Sequence, residues 1–140
     1  MRVVFVTHNY PRWPGDYSGA ALGALARALV RRGVAVRVVA PSEDSAERQE
    51  QDGVVVQRVR IPARLGSAVF DQDTYAVRLR SRRRWELLLR LWRRLRVAAR
   101  REVANGADLV HAHSWMPAGL AAPTTAPMVL TVPAFARNWA

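Results

Sequence analysis

The three histidines of this chain are its best candidates for proton transfer or hydrogen bonding near neutral pH. His8 follows one apolar run, and His111 and His113 lie one residue apart in another. Alternate residues of a strand face the same side, so His111 and His113 should lie together. Imidazole titrates near neutrality, which suits a general base or a hydrogen-bonding group, and a purely structural role stays open for each histidine. A zinc site is disfavoured, because only Asp16 offers itself as a third ligand.

A second candidate site is the loop between His8 and Gly19, which is rich in residues that interrupt regular structure. A helical pattern begins at Ala20, so Ser18 and Gly19 stand at a helix N-terminus. A glycine there allows backbone N–H groups and the helix dipole to approach a phosphate. The alternative is that Gly19 only serves the turn and Ser18 caps the helix. The glycine spacing matches neither the dinucleotide-binding fingerprint nor the P-loop, which disfavours nicotinamide binding.

The elements that must position these groups alternate between strand and helix. Apolar, β-branched runs predict strands at 3–7, 34–40, 54–61, 107–113 and 127–132, with the third as a candidate edge strand. Helical patterns cover 20–32, 74–103 with a break near Ser81, and 116–122, whereas 43–53 is expected to form a solvated loop or short helix. The alternation predicts an α/β fold, a Rossmann-like parallel sheet of about five strands with flanking helices. Ligands of such sheets bind beyond the carboxyl ends of the strands.

The composition fits one folded domain. The chain has 140 residues, half of them apolar, and no cysteine, which excludes disulfides and thiolate metal sites. The apolar runs are far shorter than the ~20 residues of a membrane span. The first residues do not form a secretory signal, so a cytoplasmic location is expected.

The formal net charge of +11 is concentrated in one predicted helix. Eleven arginines lie between Arg78 and Arg101, opposed in that window only by Glu86. The simplest interpretation is a helix packed on the sheet with a solvated basic face. Its apolar arc is nevertheless wider than one packing surface needs, and tryptophan beside arginine suits an anionic membrane surface, here the inner face of the membrane. Nucleic acid is disfavoured, because no binding motif is present. The candidate membrane or anion patch is Trp85, Arg90, Trp92, Arg93 and Arg94.

Several of these segments resemble a known family. Residues 1–11, 14–19 and 25–36 look like the start of a GT-B glycosyltransferase, and more narrowly like the N-terminal acceptor domain of the retaining family 4 enzymes. Residues 108–119 are similar to the fourth-strand motif of that family, and 128–132 to its fifth strand. The resemblance extends from residue 1 to about 132 and is loose between 43 and 104.

The resemblance implies transfer of a sugar from a nucleotide-sugar donor to an acceptor, with retention and usually without metal or other cofactor. It implies that the donor diphosphate approaches Gly19 and its neighbour Ser18, where the family often has a second glycine. It makes His111 and His113 candidates for catalysis. Members with lipid acceptors use a basic, apolar helix to dock on the membrane. The resemblance places Asp16, His111, His113, Ser114 and Trp115 near the acceptor. The candidate acceptor-binding residues are His8, Asp16, Ser114 and Trp115.

Two departures from the family pattern bear on activity. Pro133 and Ala134 stand where the family usually has His-Gly, and the sequence given ends at Ala140, before a donor-binding lobe. We therefore expect 1–132 to be an incomplete Rossmann-like GT-B N-terminal domain and 133–140 a divergent tail. The chain alone is expected to be inactive, and a second subunit could supply the donor lobe. The rival hypothesis is a non-catalytic membrane-docking or scaffold module.

Overall fold

The computed structural model describes residues 1–43, 47–61 and 82–132. Within these residues one sheet has six strands in the order β3-β4-β2-β1-β5-β6. The helices are α1 (Ala20–Arg31) and α2 (Arg82–Ala104), and a π-helical turn, Trp115–Gly119, follows the fifth strand. The strands are β1 (Arg2–Thr7), β2 (Ala35–Ser42), β3 (Arg48–Gln51), β4 (Val54–Arg60), β5 (Leu109–His113) and β6 (Met128–Thr131).

The predicted α/β fold with a Rossmann-like sheet is confirmed, although the sheet is mostly and not wholly parallel and has one strand that was not predicted. Four of the five neighbouring pairs are parallel, whereas β3 runs antiparallel to β4. The expectation of a loop or short helix across 43–53 is therefore wrong at β3. Asp52 and Gly53 both have positive φ, 54° and 75°, and form the two-residue turn that folds β3 back onto β4. Consequently β4 is an inner strand, and the expectation that it forms an edge is also wrong.

The two described helices pack on opposite faces of the sheet. Val3 and Phe5 of β1 belong to a cluster with Leu22 and Ala26 of α1. The intervening residues, Val4 and Val6, point to the opposite face, into a cluster completed by buried leucines of α2. A strand whose successive side chains enter two cores must be apolar throughout, which explains the unbroken run in β1.

The two helices end as the sequence predicts. After α1, Gly33 has a φ of 79° and donates its N–H to the Val30 carbonyl at 2.9 Å. The second helix ends at Ala104, just before Asn105-Gly106. The expected break near Ser81 and the tail at 133–140 lie outside the described residues.

At the end of the sheet opposite β3, the strands are β5 and β6. His113 of β5 lies opposite Thr7 of β1, so the carboxyl ends of these two strands meet. The short helix expected at 116–122 is present: it begins as the π-helical turn at 115–119 and continues through 121. Among the described residues β6 is an outer strand, and its Met128, Val129 and Leu130 side chains are 43–45% exposed.

Candidate functional site

The carboxyl ends of β1 and β5 form one rim. Thr7 and His113 are paired in the parallel register, and the chain turns out of the sheet directly after each. A hydrogen bond of 3.0 Å between His8 Nδ1 and Ser114 Oγ joins the two departing segments. Ser114 has a φ of 80°, unusual for a residue with a side chain, which shows how sharply the chain turns here. The structure thus brings the first-strand and fourth-strand motifs of the sequence together.

Gly19 stands at the N-terminus of α1 in a conformation that only glycine fits well. Its φ is 74°, and a Cβ built on it would lie 2.8 Å from the Asn9 carbonyl oxygen and 2.9 Å from Tyr10 Cα. Both neighbours are backbone, so neither can move aside as a side chain would. The helix has no side-chain cap, and the first-turn N–H groups that a cap would bond are left for another acceptor.

Ser18 does not cap α1, so that alternative for its role is wrong. Its hydroxyl donates to Asn9 Oδ1 at 2.6 Å instead, and both side chains are buried. The Asn9 N–H in turn donates to Thr7 Oγ1 at 3.1 Å. This chain of bonds fixes the segment that follows β1 against the residue that precedes Gly19.

Asp16 closes the same loop. Its side chain is 1% exposed, and one carboxylate oxygen accepts from Arg12 Nε at 2.8 Å and from the Arg12 N–H at 3.0 Å. The other oxygen accepts the Ser18 N–H at 3.0 Å. Burial alone would raise the pKa of this carboxyl, but the hydrogen bonds and the charge of Arg12 outweigh it and hold the pKa below its ordinary value. Asp16 therefore shapes the loop as a paired anion.

The His111 and His113 rings lie against each other at a tilt of 34°, on the same side of β5, as their strand spacing predicts. Their ring centroids are 4.0 Å apart, and Phe5 meets both rings edge-on. His111 Nε2 bonds with Thr131 Oγ1 at 2.7 Å. His113 Nε2 is buried and has no hydrogen-bond partner among the described residues, so the pair retains one unsatisfied polar atom.

Burial makes these imidazoles poor bases. It lowers the pKa of His8 to about 4. Burial and, to a lesser extent, the neighbouring His111 lower the pKa of His113 to about 4 as well, and burial also lowers the pKa of His111. All three rings are therefore neutral at pH 7, which favours hydrogen bonding over general-base chemistry.

Arg58 braces the loop from a strand that the sequence did not associate with it. The residue is only 2% exposed, and its guanidinium donates to the Tyr10 carbonyl at 3.3 Å and to the Pro11 carbonyl. Its Nε donates to Gln49 Oε1 at 3.3 Å. Burial lowers the pKa of Arg58 from its ordinary value. The brace links β3 and β4 to the segment just after His8.

The remaining predicted residues lie apart from this rim or cannot be placed by side chain. Trp115 begins the π-helical turn after β5, and its side chain is outside the described residues. On α2, Trp85 is 49% exposed, and Arg90, Arg93 and Arg94 are exposed as well. Trp92 is only partly exposed, because it packs on the core beneath α2 and donates its indole N–H to the Leu120 carbonyl at 3.0 Å.

Sequence reasoning missed Asn9, Arg58 and Thr131. Thr131 was detectable in principle, because it lies opposite His113 once β6 is paired with β5. Asn9 stands between His8 and a turn, where an amide that bonds nearby backbone or hydroxyl groups is common. The sequence offers no indication that Arg58 is buried, because nothing distinguishes it from the other arginines among the 22 basic residues.

The described residues contain no group of three or more His, Cys, Asp or Glu side chains placed to hold a metal ion. Neither of the two helices that the structure describes is long and apolar enough to cross a membrane.

Comparison with known proteins identifies the family. The family described as Glycosyltransferase Family 4 matches residues 19–133. A solved structure described as trehalose-6-phosphate from E. coli bound with UDP-2-fluoro glucose is similar, with 16% identity and a TM-score of 0.48. That similarity covers 81% of this chain and 28% of the other, so the chain spans less than a third of that protein. A comparison with curated proteins gives no match.

The family match includes Gly19, α1, the β5 motif and β6, and the six-stranded sheet has the architecture of a Rossmann-like GT-B half. The chain belongs to Glycosyltransferase Family 4, as an N-terminal GT-B domain.

Proposed function

We propose that this chain is the acceptor-side half of a retaining glycosyltransferase, which moves a sugar from a nucleotide-sugar donor to an acceptor. The family supports the reaction class, and the rim supports its location. One observation carries the proposal: the hydrogen bond between His8 and Ser114 joins the loop that ends at Gly19 to the strand end that carries the histidine pair.

The proposed roles follow from the rim geometry. Gly19 and the uncapped N-terminus of α1 would receive the donor diphosphate, with Ser18 holding the loop beneath it. His113, neutral and with an unsatisfied nitrogen, would bond a hydroxyl of the acceptor or of the transferred sugar, and His111 would support it. Ser114 and Trp115 stand next to it at the acceptor side. His8 and Asp16 would hold the two walls of this half-cleft.

A donor lobe is needed because one rim offers few contacts to a nucleotide. Backbone N–H groups bind phosphate, but among the described residues no second wall encloses the base and the ribose. We therefore propose that the chain alone does not turn over nucleotide-sugars and acts with a donor-binding lobe, on the same polypeptide or on a second subunit.

The test joins the full 140-residue sequence to the donor lobe of an active family 4 enzyme. We expect nucleotide release from one of a panel of UDP-, GDP- and ADP-sugars, with no release by the chain alone. Gly19→Ala should abolish release, whereas Gly15→Ala should retain it, because both glycines have positive φ but only Gly19 is enclosed by backbone. A folded chimera that releases nothing, or an active isolated chain, would contradict the proposal.

A second candidate function is docking on an anionic membrane, and the exposed ridge of α2 favours it. Trp85, Leu89 and Val97 are 49–53% exposed and share one ridge with Arg93, at spacings of four residues. Exposed apolar side chains interleaved with arginine suit the head-group region, where rings and guanidinium groups both find partners.

Flotation with phosphatidylglycerol vesicles tests the docking. The full chain should float with these vesicles and not with phosphatidylcholine, and Trp85→Ala with Leu89→Ala, or Arg93→Glu with Arg94→Glu, should reduce the floated fraction severalfold. Binding that neither pair affects would refute this function. Tight, salt-sensitive binding to duplex DNA instead would favour the nucleic-acid alternative.

A further inference from the structure

A cavity of about 570 Å³ lies between the end of β4 and one side of α2. Its strand wall includes Val59, which belongs to the core beneath α2, so it opens on the sheet face opposite α1. The helix wall consists of two adjacent ridges, 93–97–101 and 94–98–102. Volumes of about 300–1,000 Å³ are usual for small-molecule sites.

The helix wall of this cavity is strongly basic. Arg93, Arg94 and Arg101 line it, and all three are exposed. Arg94 Nη1 donates to the Arg60 carbonyl at 2.5 Å, which anchors the guanidinium at the strand side. Arg58 also contributes to the lining, but its guanidinium is engaged with carbonyls of the loop after β1. Three arginines of one helix therefore line the cavity.

Among the described residues that line the cavity, the one carboxylate does not neutralise these arginines. Glu102 is buried, and its two oxygens accept from Arg37 Nη1 at 2.9 Å and from Arg48 Nη1 at 3.0 Å. These two arginines belong to β2 and β3, outside the cavity lining. In the part of the chain that the structure describes, neither Arg93, Arg94 nor Arg101 pairs with a carboxylate. A bound anion would be attracted by these three positive charges.

We propose that this cavity is a site for a phosphate-bearing anion, a diphosphate or a phosphate monoester, held by Arg93, Arg94 and Arg101. Guanidinium groups match phosphate oxygens in geometry and charge, and each can donate two parallel hydrogen bonds. Val59, Val97 and Ala98 supply an apolar lining against which the organic part of such a ligand packs. The site is separate from the Gly19 rim, since it lies on the face of the sheet that α2 covers.

The test is calorimetric titration of the full chain with inorganic pyrophosphate at 150 mM salt. We expect saturable binding of one equivalent. Arg101→Gln should weaken it about threefold and Arg93→Gln with Arg101→Gln about tenfold, the size of one and two screened charge pairs. Arg100→Gln is the matched control, because it removes the same charge from the next residue of α2 outside the cavity, and it should leave the dissociation constant within error. All three substituted side chains are exposed, so the variants should fold, which circular dichroism verifies.

Two vesicle arms distinguish the source of the phosphate. If phosphatidic acid vesicles bind and pyrophosphate displaces the chain from them, the ligand is a lipid head group. If pyrophosphate binds and the vesicles do not, it is a soluble phosphate ester. Absence of saturable binding to both probes would overturn the proposal, and so would equal weakening by Arg100→Gln and Arg101→Gln, which would show diffuse charge attraction in place of a built site.

Discussion

The loop after β1 and the segment after β5 both follow buried parallel strands, yet they hold their polar groups in opposite ways. In the first, Asp16, Ser18 and Asn9 all bond within the loop, and Arg58 braces it from β4. At the end of β5, two imidazoles lie against each other, with the edge of an aromatic ring against both, and the buried nitrogen of His113 has no partner among the described residues.

The difference indicates a division of work along one rim. A loop whose side chains satisfy one another presents mainly its backbone, here the uncapped N-terminus at Gly19. A strand end with an unsatisfied, neutral imidazole retains a side-chain hydrogen bond for a ligand. We infer that the loop after β1 is a rigid backbone site for an anion. We infer that the end of β5 binds a hydroxyl group of a ligand through a side-chain hydrogen bond.

The largest expected effect concerns the loop after β1, at Gly19. Gly19→Ala should lower the free energy of unfolding by about 3 kcal/mol, because the new Cβ both strains a positive φ and meets backbone at 2.8 Å. Gly15→Ala has the same backbone strain and no neighbour within 4 Å, so it should cost only about 1 kcal/mol. Urea unfolding measures both, and equal losses would show that the loop does not enclose Gly19.

The next effect concerns the carboxylate of Asp16, which is paired with Arg12 in the loop after β1. Asp16→Asn should lower the free energy of unfolding by about 2 kcal/mol, since it removes charge-assisted bonds from a buried site. Asp52→Asn is the control: that carboxylate is 58% exposed and 3.8 Å from Arg27, and its loss should cost no more than about 0.5 kcal/mol.

The same carboxylate makes a prediction about acid. The pKa of Asp16 is lower in the folded chain than in the unfolded one, so its contribution is complete above the unfolded pKa of about 3.9 and disappears as pH falls through the folded value. Asp16→Asn should therefore reduce the dependence of the unfolding free energy on pH below about pH 4. The same dependence in the variant and the parent chain would contradict this.

A second pH dependence, at higher pH, comes from the histidine side of the comparison. His8 titrates near pH 4 when folded and near 6.5 when unfolded, so the unfolded state binds the extra proton between these values. Stability should fall as pH decreases from 6.5 towards 4, by at most about 1.4 kcal/mol per pH unit for this residue. His8→Gln should reduce that slope. A ring resonance of His8 with a midpoint near 6.5 would refute the prediction.

The sequence predicts the rim better than it predicts the bonds within it. An apolar run followed by a glycine-containing loop sufficed to position His8 and Gly19, and the two-residue period sufficed to stack His111 on His113. Both signals are local, and local periodicity can be recognised from a single sequence.

The hairpin and the brace were not predicted, for different reasons. Asp52-Gly53 is a recognisable hairpin turn, but the polar residues of β3 lack the alternation that marks a strand. Ser18 could cap the helix or bond Asn9, which lies nine residues earlier in the chain. Which of the two it does depends on how the loop between them folds, and the spacing of residues in the sequence does not determine that. The contact of Arg58 with the Tyr10 carbonyl spans 48 residues and depends on strand order.

The central claim, that the two strand-end segments form a single rim, is tested most directly by a double-mutant cycle on His8 and Ser114. The variants are His8→Phe, Ser114→Ala and the pair, with urea unfolding at pH 7.5, where the imidazole is neutral. The 3.0 Å bond between His8 Nδ1 and Ser114 Oγ predicts a coupling energy of about 1 kcal/mol. Additive losses, with a coupling energy of zero, would contradict the account.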